Sequence, residues 1–155
     1  MARFSHLLLL AGLFLISACA PKSHPEEPNV KAFLNRYFET WSNQDMENYG
    51  SCFHSQARVF FITESGGVIN QGLTDFLHGQ RMSHQQATEP MKEVPLEMRI
   101  QMDDKAAQAH VTWSLMKGKT EERGTDLFTL KRDGQGWKIV NLTFYEDEMP
   151  KDEKK

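Results

Sequence analysis

From Leu96 to Phe144 the chain repeats one pattern, apolar residues at every second position interrupted by short polar turns. Leu96, Met98, Ile100 and Met102 alternate with Glu97, Arg99 and Gln101, so one face of this segment is dry and the other wet. Asp103-Asp104-Lys105 turns the chain. Ala109, Val111, Trp113 and Leu115 carry the dry face of the next segment, and Phe128 and Leu130 that of the one after. Asp133-Gly134-Gln135-Gly136 makes the last hairpin, and Val140, Leu142 and Phe144 finish the face. A run of hairpin-joined strands with one apolar face must be covered by another layer.

The cover lies upstream. Val30, Phe33, Leu34, Tyr37, Phe38 and Trp41 recur at the spacing of an amphipathic helix. Ser42-Asn43-Gln44-Asp45 interrupts it, and Met46, Tyr49 and Phe53 repeat at helical spacing after Asp45, a helix-start residue. Ala57 to Thr63 is β-branched and aromatic and reads as a strand, Glu64-Ser65-Gly66-Gly67 as a turn, and Val68 to Gln71 as a second strand. Gly72-Leu73-Thr74-Asp75 opens a third helix with Phe76, Leu77 and Met82 on its inner face. The expected fold is α+β: a cone-shaped, curved antiparallel sheet wrapped around an N-terminal amphipathic helix plus two shorter helices. Such a domain spans residues 29–146, and 155 residues leave room for one of them.

Leu7 to Ile16 is an apolar run of ten residues behind Arg3, half of the roughly 20 that a membrane-spanning helix needs. With small residues following, it has the layout of a secretory signal. Ile16-Ser17-Ala18-Cys19 resembles the lipobox of bacterial lipoproteins. The resemblance implies cleavage before Cys19, diacylglycerol on its sulfur and a further acyl chain on the new N-terminus. Ala20, where Asp would favour inner-membrane retention, implies an outer-membrane anchor facing the periplasm in a Gram-negative cell. Residues 1–18 are then a signal peptide and 19–28 a lipidated Cys with a tether containing Pro21, Pro25 and Pro28. Residues 147–155 are a charged tail. With Cys19 acylated, Cys52 has no disulfide partner and reads as a small buried hydrophobe.

The chain carries 18 basic and 21 acidic residues. With no basic block, this excludes the electrostatic footprint of a nucleic-acid binder. None of the six histidines stands at a ligand spacing with Cys or carboxylates, so neither a metal nor another cofactor is expected.

Several segments together resemble the nuclear transport factor 2-like superfamily, which includes ketosteroid isomerase, scytalone dehydratase and the SnoaL-like polyketide cyclases. They are Val30-Lys31-Ala32-Phe33-Leu34 through Trp41, Asp45-Met46, Phe53, Ala57-Arg58-Val59-Phe60, Gly72 to Phe76, Leu127-Phe128-Thr129-Leu130 and Gly136-Trp137-Lys138-Ile139-Val140. That fold serves enzymes, binding proteins and dimerisation modules alike. Ketosteroid isomerase uses a carboxylate base, a donor tyrosine and a protonated donor acid. Tyr37 is similar in place to the tyrosine and Asp126 to the acid, whereas the position resembling the base is Phe61, which cannot move a proton. The plainer readings are a rim-satisfied core residue for Tyr37 and a solvent-facing residue or Arg123 partner for Asp126.

The resemblance implies a pocket lined by Tyr37, Trp41, Phe61, Met98, Trp113, Asp126, Phe128 and Leu142. The missing base favours binding of a small apolar ligand or a protein partner. A cofactor-independent isomerase, dehydratase or cyclase using Tyr37 and Asp126 is the alternative. A homodimer through the outer sheet face is compatible with both.

Overall fold

A computed structural model describes residues 23–134 and 136–147. The signal-peptide and lipobox expectations, Cys19 and most of the charged tail lie outside the described residues. In chain order the elements are α1 (Glu27–Ser42), α2 (Met46–Ser51), β1 (Phe53–Ile62), β2 (Val68–Gly72), α3 (Leu73–Gln86), β3 (Met91–Met102), β4 (Ala106–Lys117), β5 (Thr120–Asp133) and β6 (Gly136–Glu146). The fold is α+β, three helices against one curved, unclosed six-stranded sheet in the order β2-β1-β6-β5-β4-β3. The sheet is not wholly antiparallel as expected, since β1 runs parallel to β6. No hairpin joins these two strands, so nothing forces them to run in opposite directions.

α1 begins at Glu27 and takes Pro28 into its first turn, where a missing N–H would have had no partner in any case. Its stripe Val30, Phe33, Leu34, Tyr37, Phe38 and Trp41 is buried against the sheet, each side chain contributing roughly 1.5–3 kcal/mol of apolar burial. Gln44 ends the link to α2 in the left-handed region (φ 60°). Asp45 caps α2, its Oδ1 accepting the Asn48 backbone N–H at 3.2 Å. Helical spacing does not persist to Phe53, which opens β1 instead. On α3 the buried residues are Phe76 and His84, while Met82 is only half-buried.

Two bulges decide which side chains reach the interior. On β3 the pairing with β4 slips between Pro95 and Glu97, leaving Leu96 as the extra residue, 56% exposed. Met91, Glu93 and Pro95 pair with the inward-facing register of β4 before the slip, and Met98, Ile100 and Met102 after it. Leu96 therefore does not continue the inner face, because an added residue reverses the alternation on one side of itself. The same happens on β6, where Thr129 pairs with Asn141 but Leu130 with Ile139. Val140 is skipped, so Trp137 and Ile139 are buried on one side of it and Leu142 on the other. β4 pairs without interruption along its whole length with Thr120–Lys131 of β5. Cys52 is fully buried and free of any disulfide.

Candidate functional site

The uninterrupted strands hold the best-defined part of the interior. Trp113 on β4 stands opposite Gly124 on β5. A Cβ at Gly124 would overlap the six-membered ring of Trp113 and the Tyr145 carbonyl oxygen, so only glycine lets the indole lie across β5. Crossing there, Trp113 Nε1 donates to Asp126 Oδ1 at 2.9 Å. Asp126 is 3% exposed. Burial raises its carboxyl to about 7, the indole N–H pulling the other way.

Tyr37 from α1 and Tyr49 from α2 complete this floor. The Tyr49 hydroxyl donates to the Tyr37 hydroxyl at 2.9 Å, with ring centroids 4.9 Å apart. Burial holds both phenols well above their ordinary range, so both are neutral. Glu93 on β3 brings a second carboxyl. Its backbone is pinned by Ser42 at the end of α1, whose Oγ donates to the Glu93 carbonyl (2.8 Å) and accepts the Glu93 N–H (2.9 Å). Desolvation and the nearby Asp126 raise the Glu93 carboxyl well above its usual range, against a smaller opposite pull from Lys117.

These groups border one cavity of about 180 Å³, completed by Trp41, Phe76, Gln80, Ser83, Met91, Leu115, Lys117, Leu142, Phe144 and Glu146. α3 closes it through Trp41, whose Nε1 donates to Gln80 Oε1 at 2.8 Å and whose ring packs on His84 (centroids 4.3 Å). The arrangement offers a small guest aromatic walls, neutral hydroxyl and carboxyl donors, and two carboxyls whose raised pKa values suit them to exchange protons. Among the described residues no group of three His, Cys, Asp or Glu side chains could hold a metal ion.

The family whose sequence profile matches residues 25–145 is described as "Putative lumazine-binding". The chain belongs to this family. No curated protein matches it in sequence. Solved structures similar to it include a nuclear transport factor 2-like protein of unknown function from Pseudomonas putida, at 13% identity over 83% of this chain and 91% of that one, TM-score 0.68. A protein of unknown function with a cystatin-like fold from Nostoc punctiforme has 11% identity over 83% and 96%, TM-score 0.66. A "putative dehydratase" of the nuclear transport factor 2-like family from Streptomyces avermitilis has 13% identity over 79% and 96%, TM-score 0.65. At such identities the likeness concerns the fold.

In this family member, Tyr37, Trp41, Trp113, Asp126 and Leu142 border the cavity. Phe61, Met98 and Phe128 do not. Phe61 stacks behind Phe144, centroids 5.0 Å apart. Phe128 fills the cone beneath Tyr37 at 5.2 Å, and Met98 packs against the core beyond the β3 bulge. Arg123 pairs with Glu121 at 3.0 Å and not with Asp126.

Sequence reasoning misses Glu93 and Tyr49. Projecting the Leu96–Met102 alternation backwards turns Glu93 outward, and only the bulge reverses it. Tyr49 reads as core, and its distance from Tyr37 follows from the turn at Gln44. Its place on the apolar spacing of α2 is the one available signal.

Proposed function

We propose that this chain is a lipid-anchored envelope protein whose inner cavity binds one small organic molecule against aromatic walls. The observation that carries the reading is Asp126, a carboxyl buried in the cavity wall with one oxygen held by Trp113 and the other without a partner among the described residues. That second oxygen is left to the cavity, where a donor on a guest can meet it. A cavity of about 180 Å³ resembles in size the roughly 150 Å³ void that takes a benzene-sized guest. A one- or two-ring molecule is the size of guest that this space would enclose. A lumazine, the bicyclic ring system of the family's name, falls in this size class. Native mass spectrometry and thermal shift on the purified chain, against a panel of small ring compounds including lumazine, test the reading. Retained or stabilising ligand is expected. A chain that keeps nothing and shifts with nothing refutes it.

The anchor follows from Ile16-Ser17-Ala18-Cys19 behind the Leu7–Ile16 run. Two or three acyl chains, at about 0.8 kcal/mol per buried CH₂, hold a protein on a bilayer without a spanning helix. Radiolabelled palmitate should enter the wild-type chain and not Cys19→Ser, and the variant should leave the outer-membrane fraction. A homodimer through the outer sheet face is tested by sedimentation at tens of micromolar, where a monomer alone removes it.

Glu93 favours a second reading, a cofactor-independent isomerase, dehydratase or cyclase. Phe61 cannot serve as base, but Glu93 shares the cavity with Asp126 and Tyr37 and supplies an acceptor for a proton that Asp126 or Tyr37 could return. Deuterium incorporation from heavy water into a small carbonyl compound, lost in Glu93→Gln, tests it.

A further inference from the structure

The cavity holds more acid than its own chain balances. Glu93 from β3 and Asp126 from β5 border it, with Glu146 from β6 at the exposed rim and one cation, Lys117 from β4. Lys117 is already engaged by a further acid, its Nζ lying 2.6 Å from Glu122 Oε2. The helices bring no positive charge to it. α1 contributes the Tyr37 hydroxyl and Trp41, α2 the Tyr49 hydroxyl, and α3 the neutral Gln80 and Ser83 beside Phe76. Six rings, Tyr37, Trp41, Tyr49, Phe76, Trp113 and Phe144, line the same cavity.

Each of these features selects the same kind of guest. Ring faces carry negative quadrupolar charge and attract cations, most strongly where water is excluded. A desolvated carboxylate needs a counter-charge, and without one it retains a proton. The free oxygen of Asp126, on a side chain only 3% exposed, marks where the counter-charge would sit.

We propose that the cavity takes a small organic cation, a quaternary or protonated amine, whose charged head lies among the rings beside Asp126 and Glu93. This rests on the reading of the cavity as a ligand site. It goes further in stating the charge of the ligand. The cation replaces a proton held by the acid pair. With Asp126 at about 7 and Glu93 raised in the same direction, binding tightens as pH rises towards neutrality. For one proton released, affinity gains up to about tenfold per pH unit below that value and levels off above it.

The test is isothermal calorimetry on the full chain with three probes: choline, its uncharged isostere 3,3-dimethylbutan-1-ol, and lumazine, each at pH 6 and pH 8. Choline is expected to bind at least tenfold more tightly than the alcohol, and several-fold more tightly at pH 8 than at pH 6. Glu93→Gln and Asp126→Asn should each weaken choline while the alcohol is unaffected. Because the comparison of choline with its isostere needs no variant, it stands even if a substitution unfolds the chain. Equal binding of choline and the alcohol, choline binding independent of pH, or binding of lumazine alone overturns the cation assignment and leaves the ligand site standing. No heat from any of the three at either pH overturns the assignment as well, and a negative ring-compound panel would separately refute the ligand site.

Discussion

Asp126→Asn isolates the energetic consequence of burying an acid in this cavity. In the unfolded chain the carboxyl titrates near its ordinary 3.8, and in the folded chain at about 7. Between these values the folded state keeps a proton that the unfolded state has lost, so stability falls as pH rises through the window. The slope is about 1.4 kcal/mol per pH unit, and the loss is roughly 4 kcal/mol once pH exceeds 7. Below pH 3.8 both states are protonated and the penalty vanishes. Glu93, raised in the same direction, adds a penalty of the same sign. The amide introduced by Asp126→Asn keeps an oxygen to accept from Trp113 and has no charge to bury. Urea denaturation at pH 5, 6, 7 and 8 should show the wild-type chain losing about 2–3 kcal/mol from pH 5 to 7 through Asp126 and more through Glu93, with the slope much reduced in Asp126→Asn and reduced again when Glu93→Gln is added to it. A wild-type profile flat across pH 5–7, or a slope unchanged in Asp126→Asn, would refute the claim that these acids are buried with raised pKa values.

Trp113→Phe removes the indole donor that holds the Asp126 value down, so carboxyl-carbon NMR should record an Asp126 titration at higher pH than in the wild type. Gly124→Ala places a methyl group into Trp113 and the Tyr145 carbonyl; a loss of about 1–3 kcal/mol or more in chemical denaturation and a changed Trp fluorescence spectrum are expected. Tyr49→Phe deletes the donor to the Tyr37 hydroxyl and should cost about 0.5–1.5 kcal/mol, read from the same denaturation curves. Deleting Leu96 removes the β3 bulge and turns either Glu93 or the Met98–Met102 face outward; calorimetry should find a large drop in Tm in either case, and the pH slope attributed to Glu93 should disappear only where Glu93 is the side that turns out.

How much of the site is legible depends on the regularity of each strand. Trp113 and Asp126 can be placed because β4 and β5 alternate without a break, so the parity of Phe128 and Leu130 passes unchanged to Asp126. Tyr37 and Trp41 follow from the stripe of α1. Val140 is assigned to the inner face that Ile139 occupies, and Glu93 goes unseen, because each lies at or across a bulge. Met98 and Phe128 do join the same core, and Phe61 stacks on Phe144 at its edge, but inward-facing residues fill a cone at different heights. Parity along a strand does not tell height.

Taken alone, the sequence determined the fold class and the stripe that α1 presents to the sheet, since these depend on periodicity within one segment at a time. Only the tertiary structure decided which inward side chains meet. A bulge is a property of two paired strands, so β3 read by itself offers only Pro95, whose missing N–H suits an edge or a bulge alike, and does not say that Leu96 is extra. That one residue brings Glu93 into the cavity with Asp126, and the pair gives the interior its unbalanced acidity.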